Sequence, residues 1–295
     1  MRAALTPAAL WPAALTLVAG CAWNAAGSTG CEPLGPPRPL PEILEESSGV
    51  AWSRVHPDVL WSHNDGGHDA AVHALDPEGR LLATIPVHGP ENRDWEDLST
   101  AGCGGGSCIY LADTGDNAEE RPRVDLHRFP EPATLDGGPV EAETFPLLFP
   151  DGPRDVEAVF VLPGERVFFI TKGRNHPVTV YRYPPPLTPG EPVTLEEVQT
   201  LTDGPAPLPS QVTGAGAVDD GSIVAVRSYE ALTFYAVEDG RLTPLEEGRV
   251  NLRTLEEPQG EAVDVGPEGR VALTTEAGNF GGVAALRLLE CSVVR

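Results

Sequence analysis

Four short acidic motifs define the chemistry this chain can attempt. They are Glu46-Ser-Ser48, Asp94-Trp-Glu96, Asp155-Val-Glu157 and Gln259-Gly-Glu261. On a β-strand, residues i and i+2 share a side, so each motif points two polar groups one way. A second set of polar residues ends apolar runs: Asn64 and Asp65, Asp113, Asp116 and Asn117, Lys172 and Arg174, Arg227 and Glu230, and Glu276. Carboxylates gathered at one place raise each other's pKa or recruit a cation. Oxygen donors in a roomy, irregular ring suit Ca²⁺, which takes 6–8 of them. The expected calcium ligands are Glu46, Asn64, Asp65, Asp94, Glu96, Asp113, Asp116, Asp155, Glu157, Glu261 and Glu276. Zinc fits poorly, because His63, His68 and His73 match no familiar zinc spacing.

Lys172 is the only lysine. With Arg227 it could hold an anionic substrate beside the cation, while Glu157 or Glu261 serves as general base for water. Those four are the candidate catalytic residues. Equally, Lys172 and Arg227 could neutralise the acids as structural ion pairs.

The elements that would position these residues recur. A polar start, a small or apolar strand, a turn and a second strand with a polar end repeat at intervals of about fifty residues. Ser48, Glu96, Glu157, Gly216 and Glu261 are aligned as equivalents. Each interval has room for two further strands, and four strands per repeat is the pattern of a β-propeller blade. The expectation is all-β with five blades, six being the alternative. In a blade, the start of the first strand and the end of the second reach the same face. The scattered acids therefore converge around one mouth of the channel. Blade four offers only Gly214 and Gly216 there, which leaves an open sector. Ring closure is expected from Glu42 to Leu44, or from the stretch after Cys31, lying beside Val283 to Leu289.

The N-terminus has an apolar run from Ala3 to Val18, broken by Pro7 and Pro12, and reads as a signal peptide. It ends Leu17-Val18-Ala19-Gly20-Cys21, which resembles the lipobox of bacterial lipoprotein precursors. The resemblance implies cleavage before Cys21, a lipid on its thiol and export, with the protein anchored at the cell envelope, on the periplasmic or the outer-surface side. The division is then 1–20 signal, 21–30 lipidated tether and 31–295 propeller. With Cys21 lipidated, four cysteines remain. Cys103 and Cys108 flank a glycine-rich turn, which leaves Cys31 to pair with Cys291 and staple the ring.

Asp+Glu number 44 against 20 Lys+Arg, a net charge of −24. That balance excludes nucleic acid as a partner. A small anionic ligand is compatible with the cation site, and nothing calls for a second subunit. Asp113-Thr-Gly-Asp116-Asn117 has calcium-loop chemistry without EF-hand spacing. No nucleophile elbow or phosphate loop occurs.

Several motifs together resemble a known group. They are Ser-Gly-Val-Ala at 48–51, His-Asn-Asp-Gly-Gly at 63–67, Asp-Trp-Glu-Asp-Leu at 94–98, Gly-Asp-Asn at 115–117, Asp-Val-Glu-Ala-Val at 155–159, Thr-Lys at 171–172 and Gln-Gly-Glu-Ala-Val at 259–263. The pattern resembles secreted bacterial β-propellers often called esterase-like or phytase-like. More distantly it is similar to calcium-dependent propeller hydrolases. The resemblance implies calcium at the channel mouth and hydrolysis of a small anionic ester, phosphoester or lactone. The rival expectation is a non-catalytic binding or scaffold propeller of the cell envelope.

Overall fold

The computed structural model describes residues 30–278 and 281–294. The signal segment, Cys21 and most of the tether lie outside the described residues. Five sheets follow one another along the chain, each built on antiparallel strands, with short parallel additions, Val140–Glu141 and Val193–Thr194, at the outer edges of the first two. Blade one comprises Ser47–Trp52, Leu60–Asn64, Ala71–Leu75 and Leu81–His88. Blade two comprises Trp95–Cys103, Gly106–Asp113, Val124–Pro130 and Glu143–Leu148. Blade three comprises Val156–Leu162, Arg166–Thr171, Pro177–Arg182 and Glu196–Pro205, and blade four Val212–Ala217, Ile223–Ser228, Ala231–Glu238 and Arg241–Asn251. Blade five takes Gln259–Val265, Arg270–Glu276 and Ala285–Cys291 from the end of the chain. The protein is a five-bladed β-propeller, and the six-bladed alternative falls.

Blade five is completed from the other end. Cys31–Pro33 pairs antiparallel with Ala285–Cys291, in a register that sets Cys31 opposite Cys291. Those two form a disulfide, as expected. Of the two closing segments considered, the stretch after Cys31 is the one used. Glu42–Leu44 is instead a single 3-10 turn that buries Leu44 against blades five and one. In the chain-entropy account, closing so long a loop contributes about 5 kcal/mol before strain is counted. The Cys103–Cys108 disulfide also forms. It spans a two-residue hairpin turn in which Gly104 and Gly105 both have positive φ, the backbone that a tight hairpin of this hand needs.

Burial explains why these segments are strands of this kind. Val156–Leu162, an inner strand, is buried at every residue, so beyond Glu157 it reads as an unbroken apolar run rather than an alternation. The outermost strand of the same blade, Glu196–Pro205, is half-buried or exposed throughout. The apolar residues gather in five clusters, one between each pair of neighbouring blades. No helix of the described residues is long and apolar enough to cross a membrane.

An acidic channel mouth as candidate functional site

Every inner strand carries a β-bulge at the same level. The register shifts between Ser47 and Gly49, Trp95 and Asp97, Val156 and Ala158, Val212 and Gly214, and Gly260 and Val263. Bulges re-aim a side chain that regular pleating would send elsewhere. The residues at the bulges are Ser48, Glu96, Glu157, Thr213 and Glu261. This corrects the alignment of blade four, whose equivalent residue is Thr213 and not Gly216. Gly214 and Gly216 pack against the inner strand of blade five, where a Cβ on Gly216 would stand 2.6 Å from the Cα of Asp264.

The hydroxyls of blades one and four stitch the ring. Ser48 Oγ donates to the carbonyl of Glu96 at 2.7 Å, and Thr213 Oγ1 donates to that of Glu261 at 2.7 Å. The other three blades present carboxylates. Two residues before each bulge stand Glu46, Asp94, Asp155, Gln211 and Gln259. Just past the paired end of the second strand come Asp65, Thr114 with Gly115, Lys172 and Tyr229, and blade five has Glu276, itself paired with Gln259, at this level.

Two sets of carboxylate oxygens converge to within 4.8 Å of one another: Asp65, Asp94 and Glu96, and Glu96, Asp155 and Glu157. Glu96 belongs to both. Gly115 makes the space for this convergence. A Cβ there would lie 2.1 Å from Glu96 Oε1 and 2.5 Å from Asp94 Oδ2. Gly115→Ala is therefore expected to displace both carboxylates with the fold intact and, if the carboxylates hold a cation, to weaken its binding about tenfold, as read by calorimetric titration with calcium.

The electrostatics follow from crowding and burial. Burial, then Asp65, pushes Asp94 up to about 6. Burial, then Glu157, raises Glu96 well above the usual carboxylate range. Burial also raises Asp65 and Glu157. Burial, then Glu276, holds Glu261 at about 8, and burial, then Asp65, Glu46 and Glu157, holds Glu276 at about 8. Gln259 Nε2 donates to both of these glutamates at 2.8 Å. The cation among them is Lys172, whose Nζ donates to Glu157 Oε1 at 2.5 Å. Burial opposes its charge, but Glu157 and the acids beyond outweigh burial and raise its pKa. Asp155 accepts from the Asp116 backbone N–H at 3.0 Å through Oδ1. Its buried Oδ2 has no hydrogen-bond partner, and Arg174 comes no nearer than 4.0 Å.

Other predicted ligands lie elsewhere. Asn64 and Asp113 occupy the position one residue before the mouth, so the alternation of the strand turns them away. Asn64 donates to the carbonyl of Ile43 and accepts from the Glu46 N–H, fixing the entry to blade one. Asp113 is paired with Arg121 at 2.8 Å. Burial would raise Asp113, but His127 and Arg121 together hold it low. Asp116 accepts from the N–H groups of Glu120 and Arg121 and closes its own loop. Glu46 stands half-exposed at the rim, paired with His68 at 2.6 Å. Arg227 is no mouth residue. It is fully buried, donating to the carbonyls of Ala262 and Thr274 at 2.7 and 2.9 Å and pairing with Glu257. Its charge ties blade four to blade five and is spent there.

Two residues were missed. Tyr229 fills the sector of blade four that was expected to be open. Burial, then Glu261, raises its hydroxyl, and Lys172 and Glu157 are also neighbours. Asp97, one step beneath Glu96, is fully buried. The signal for Tyr229 was available, since it follows its strand as Lys172 follows the strand before.

No family model matches the chain, and no curated protein matches it in sequence. Solved structures do resemble it. A PQQ-bound aldose sugar dehydrogenase from Streptomyces coelicolor is 12% identical, with a TM-score of 0.51 over 88% of this chain and 97% of that one. A glucose dehydrogenase is 11% identical, with a TM-score of 0.51 over 86% and 99%. The likeness is one of fold. It agrees with the propeller architecture and says nothing about which of these activities, if any, the chain has.

Proposed function

We propose that this propeller binds Ca²⁺ at its acidic mouth and hydrolyses a small anionic ester or lactone there. The observation that carries the reading is the pair of carboxylate sets sharing Glu96, beside a buried Asp155 oxygen with no hydrogen-bond partner. The donors are all oxygen, the chemistry that calcium takes and that zinc does not prefer. Asp65, Asp94, Glu96, Asp155 and Glu157 would hold the ion. Once bound, it supplies charge stabilisation to a developing oxyanion.

The remaining work falls to side chains. Lys172 has three donors and uses one on Glu157, which leaves two to orient an anionic group. Glu261, held near pH 8 and steered by Gln259, is the general base for water. Such a base works best when its pKa lies near the working pH. Two disulfides suit an oxidising compartment. We place the protein outside the cytoplasm, held to a membrane through lipid on Cys21. The quoted motifs support a place in the esterase-like propeller group.

The Lys172–Glu157 pair favours a second reading, a non-catalytic envelope propeller whose acids are already partly neutralised. Turnover decides between them. The purified chain is expected to hydrolyse at least one member of a panel of phosphomonoesters, phosphodiesters and lactones. Chelation should abolish turnover, and Glu261→Gln should lower kcat/KM by about 100-fold or more. No turnover on the panel, with melting still dependent on calcium, leaves the scaffold reading in possession.

A further inference from the structure

On one face of blade two, three buried polar residues stand side by side. Asp113 and Asp125 are cross-strand partners. His127 lies two residues beyond Asp125 and so shares its face. Thr144 sits opposite His127 on the next strand and meets its Nδ1 at 3.0 Å. These residues line a groove of about 280 Å³ between blades one and two, with Glu91 and Arg93 at its edge. The groove lies outside the ring of carboxylates at the mouth.

Its position is a feature of the blade. The same register in blade one (Asn64, His73, Thr84) lines a groove of about 450 Å³. That in blade four (Ser228, Thr233, Arg249) lines one of about 460 Å³. The groove of blade two is distinguished by hydrogen-bonding capacity left over in its wall. His127 is 3% exposed and Asp125 9%, yet neither His127 Nε2 nor Asp125 Oδ1 has a partner within hydrogen-bond distance: Nε2 faces Asp113 Oδ2 at 3.9 Å and Oδ1 faces Arg123 Nε at 3.6 Å. Buried polar atoms cost free energy when they are left unpaired.

We propose that this groove is a second binding site, for a small uncharged molecule with several hydroxyl groups, such as a single sugar ring. The charges exclude an ion as occupant. Asp113 already faces Arg121 at 2.8 Å, and Asp125 has Arg123 Nε at 3.6 Å. The close sets of metal-ligating atoms among the described residues are at the mouth, not here. What remains unmet is hydrogen bonding: an acceptor at Asp125, a ring nitrogen at His127 and one exposed group of each sign at the edge. A hydroxyl both donates and accepts, so a polyol satisfies all of these without adding charge. The volume suits a ligand of about a dozen non-hydrogen atoms, below drug size.

The test is independent of turnover at the mouth. Glycerol, myo-inositol, D-glucose and D-galactose are titrated into the purified chain and followed by saturation-transfer NMR and calorimetry. At least one is expected to bind with a Kd of about 1 mM, weakened tenfold or more by His127→Gln and by Thr144→Val. Glu96→Gln, which alters the mouth, should leave that Kd unchanged. If His127→Gln fails to fold, Thr144→Val decides. The proposal is overturned if no probe binds up to about 20 mM, or if binding survives Thr144→Val and is lost in Glu96→Gln.

Discussion

Replacing Asp97 by alanine is expected to lower the stability of the propeller by about 4 kcal/mol, the largest loss from any single substitution at the channel. Asp97 leaves the inner strand of blade two just below the mouth. Its Oδ1 accepts from the Leu98 N–H at 2.9 Å. Its Oδ2 accepts from Val159 N–H of blade three at 2.9 Å and from Ala215 N–H of blade four at 3.3 Å. One carboxyl therefore joins three blades at the centre of the ring. Alanine would leave three buried N–H groups without an acceptor, each costing about 1–3 kcal/mol, partly recovered if water enters. For a chain of this size the melting temperature should fall by about 10 °C. Asp97→Asn keeps one acceptor oxygen but turns an NH₂ toward N–H donors, so an intermediate loss is expected. Urea unfolding of the three proteins measures this. An alanine variant within about 1 kcal/mol of the parent would show that the blades hold together without this link.

Asp97 also shows where the sequence stops being legible. The motifs Asp94-Trp-Glu96, Asp155-Val-Glu157 and Gln259-Gly-Glu261 could be placed at the mouth because i and i+2 share a side, and the structure gathers them there. The same rule says nothing of a bulge. At each bulge one extra residue breaks the alternation, and that is how Glu96 reaches the mouth while Asp97 reaches the blades opposite. Second-strand ends were harder. Asn64 and Asp65 both looked like ligands, yet a shift of one residue reverses the side, and the paired end of the strand cannot be read to one residue. Asp113 lies off the mouth for the same reason, whereas Arg227, two residues before Tyr229, is drawn into the seam with blade five by the carbonyls of Ala262 and Thr274. Blade four failed because its mouth residues are Gln211, Thr213 and Tyr229, none of them acidic. An alignment built on acids slid three residues along, to Gly216. The disulfides were legible by counting, since few cysteines leave few pairings.

The second large effect concerns pH. Without metal, the propeller is expected to lose stability as pH rises from about 5 to about 9, by on the order of 3 kcal/mol. The sign follows from the direction of the shifts. Asp94 is held at about 6, and Glu261 and Glu276 at about 8, all above the values these groups take in an unfolded chain. Such groups bind protons more tightly in the fold, so their stabilisation is complete at low pH and is lost as pH passes first 6 and then 8. Asp113 works the other way, because its pKa is depressed, but its contribution is lost only in acid, outside this window. His63 and His73, held down at about 4 by burial, also work the other way and offset part of the loss up to about pH 6.5, so the steepest fall lies above that. The raised pKa of Lys172 keeps it charged throughout. Calcium reverses the trend. It binds the ionised carboxylates, so their protons leave on binding and the gain in melting temperature should grow with pH. Thermal melts with calcium and with chelator, at half-unit steps of pH, measure the difference. Glu261→Gln with Glu276→Gln should remove most of the loss seen in the chelated protein near pH 8. A chelated protein whose melting temperature is flat or rising over this range would mean that the carboxyls are already neutralised by other means. The mouth would then have no charge left for a cation to relieve.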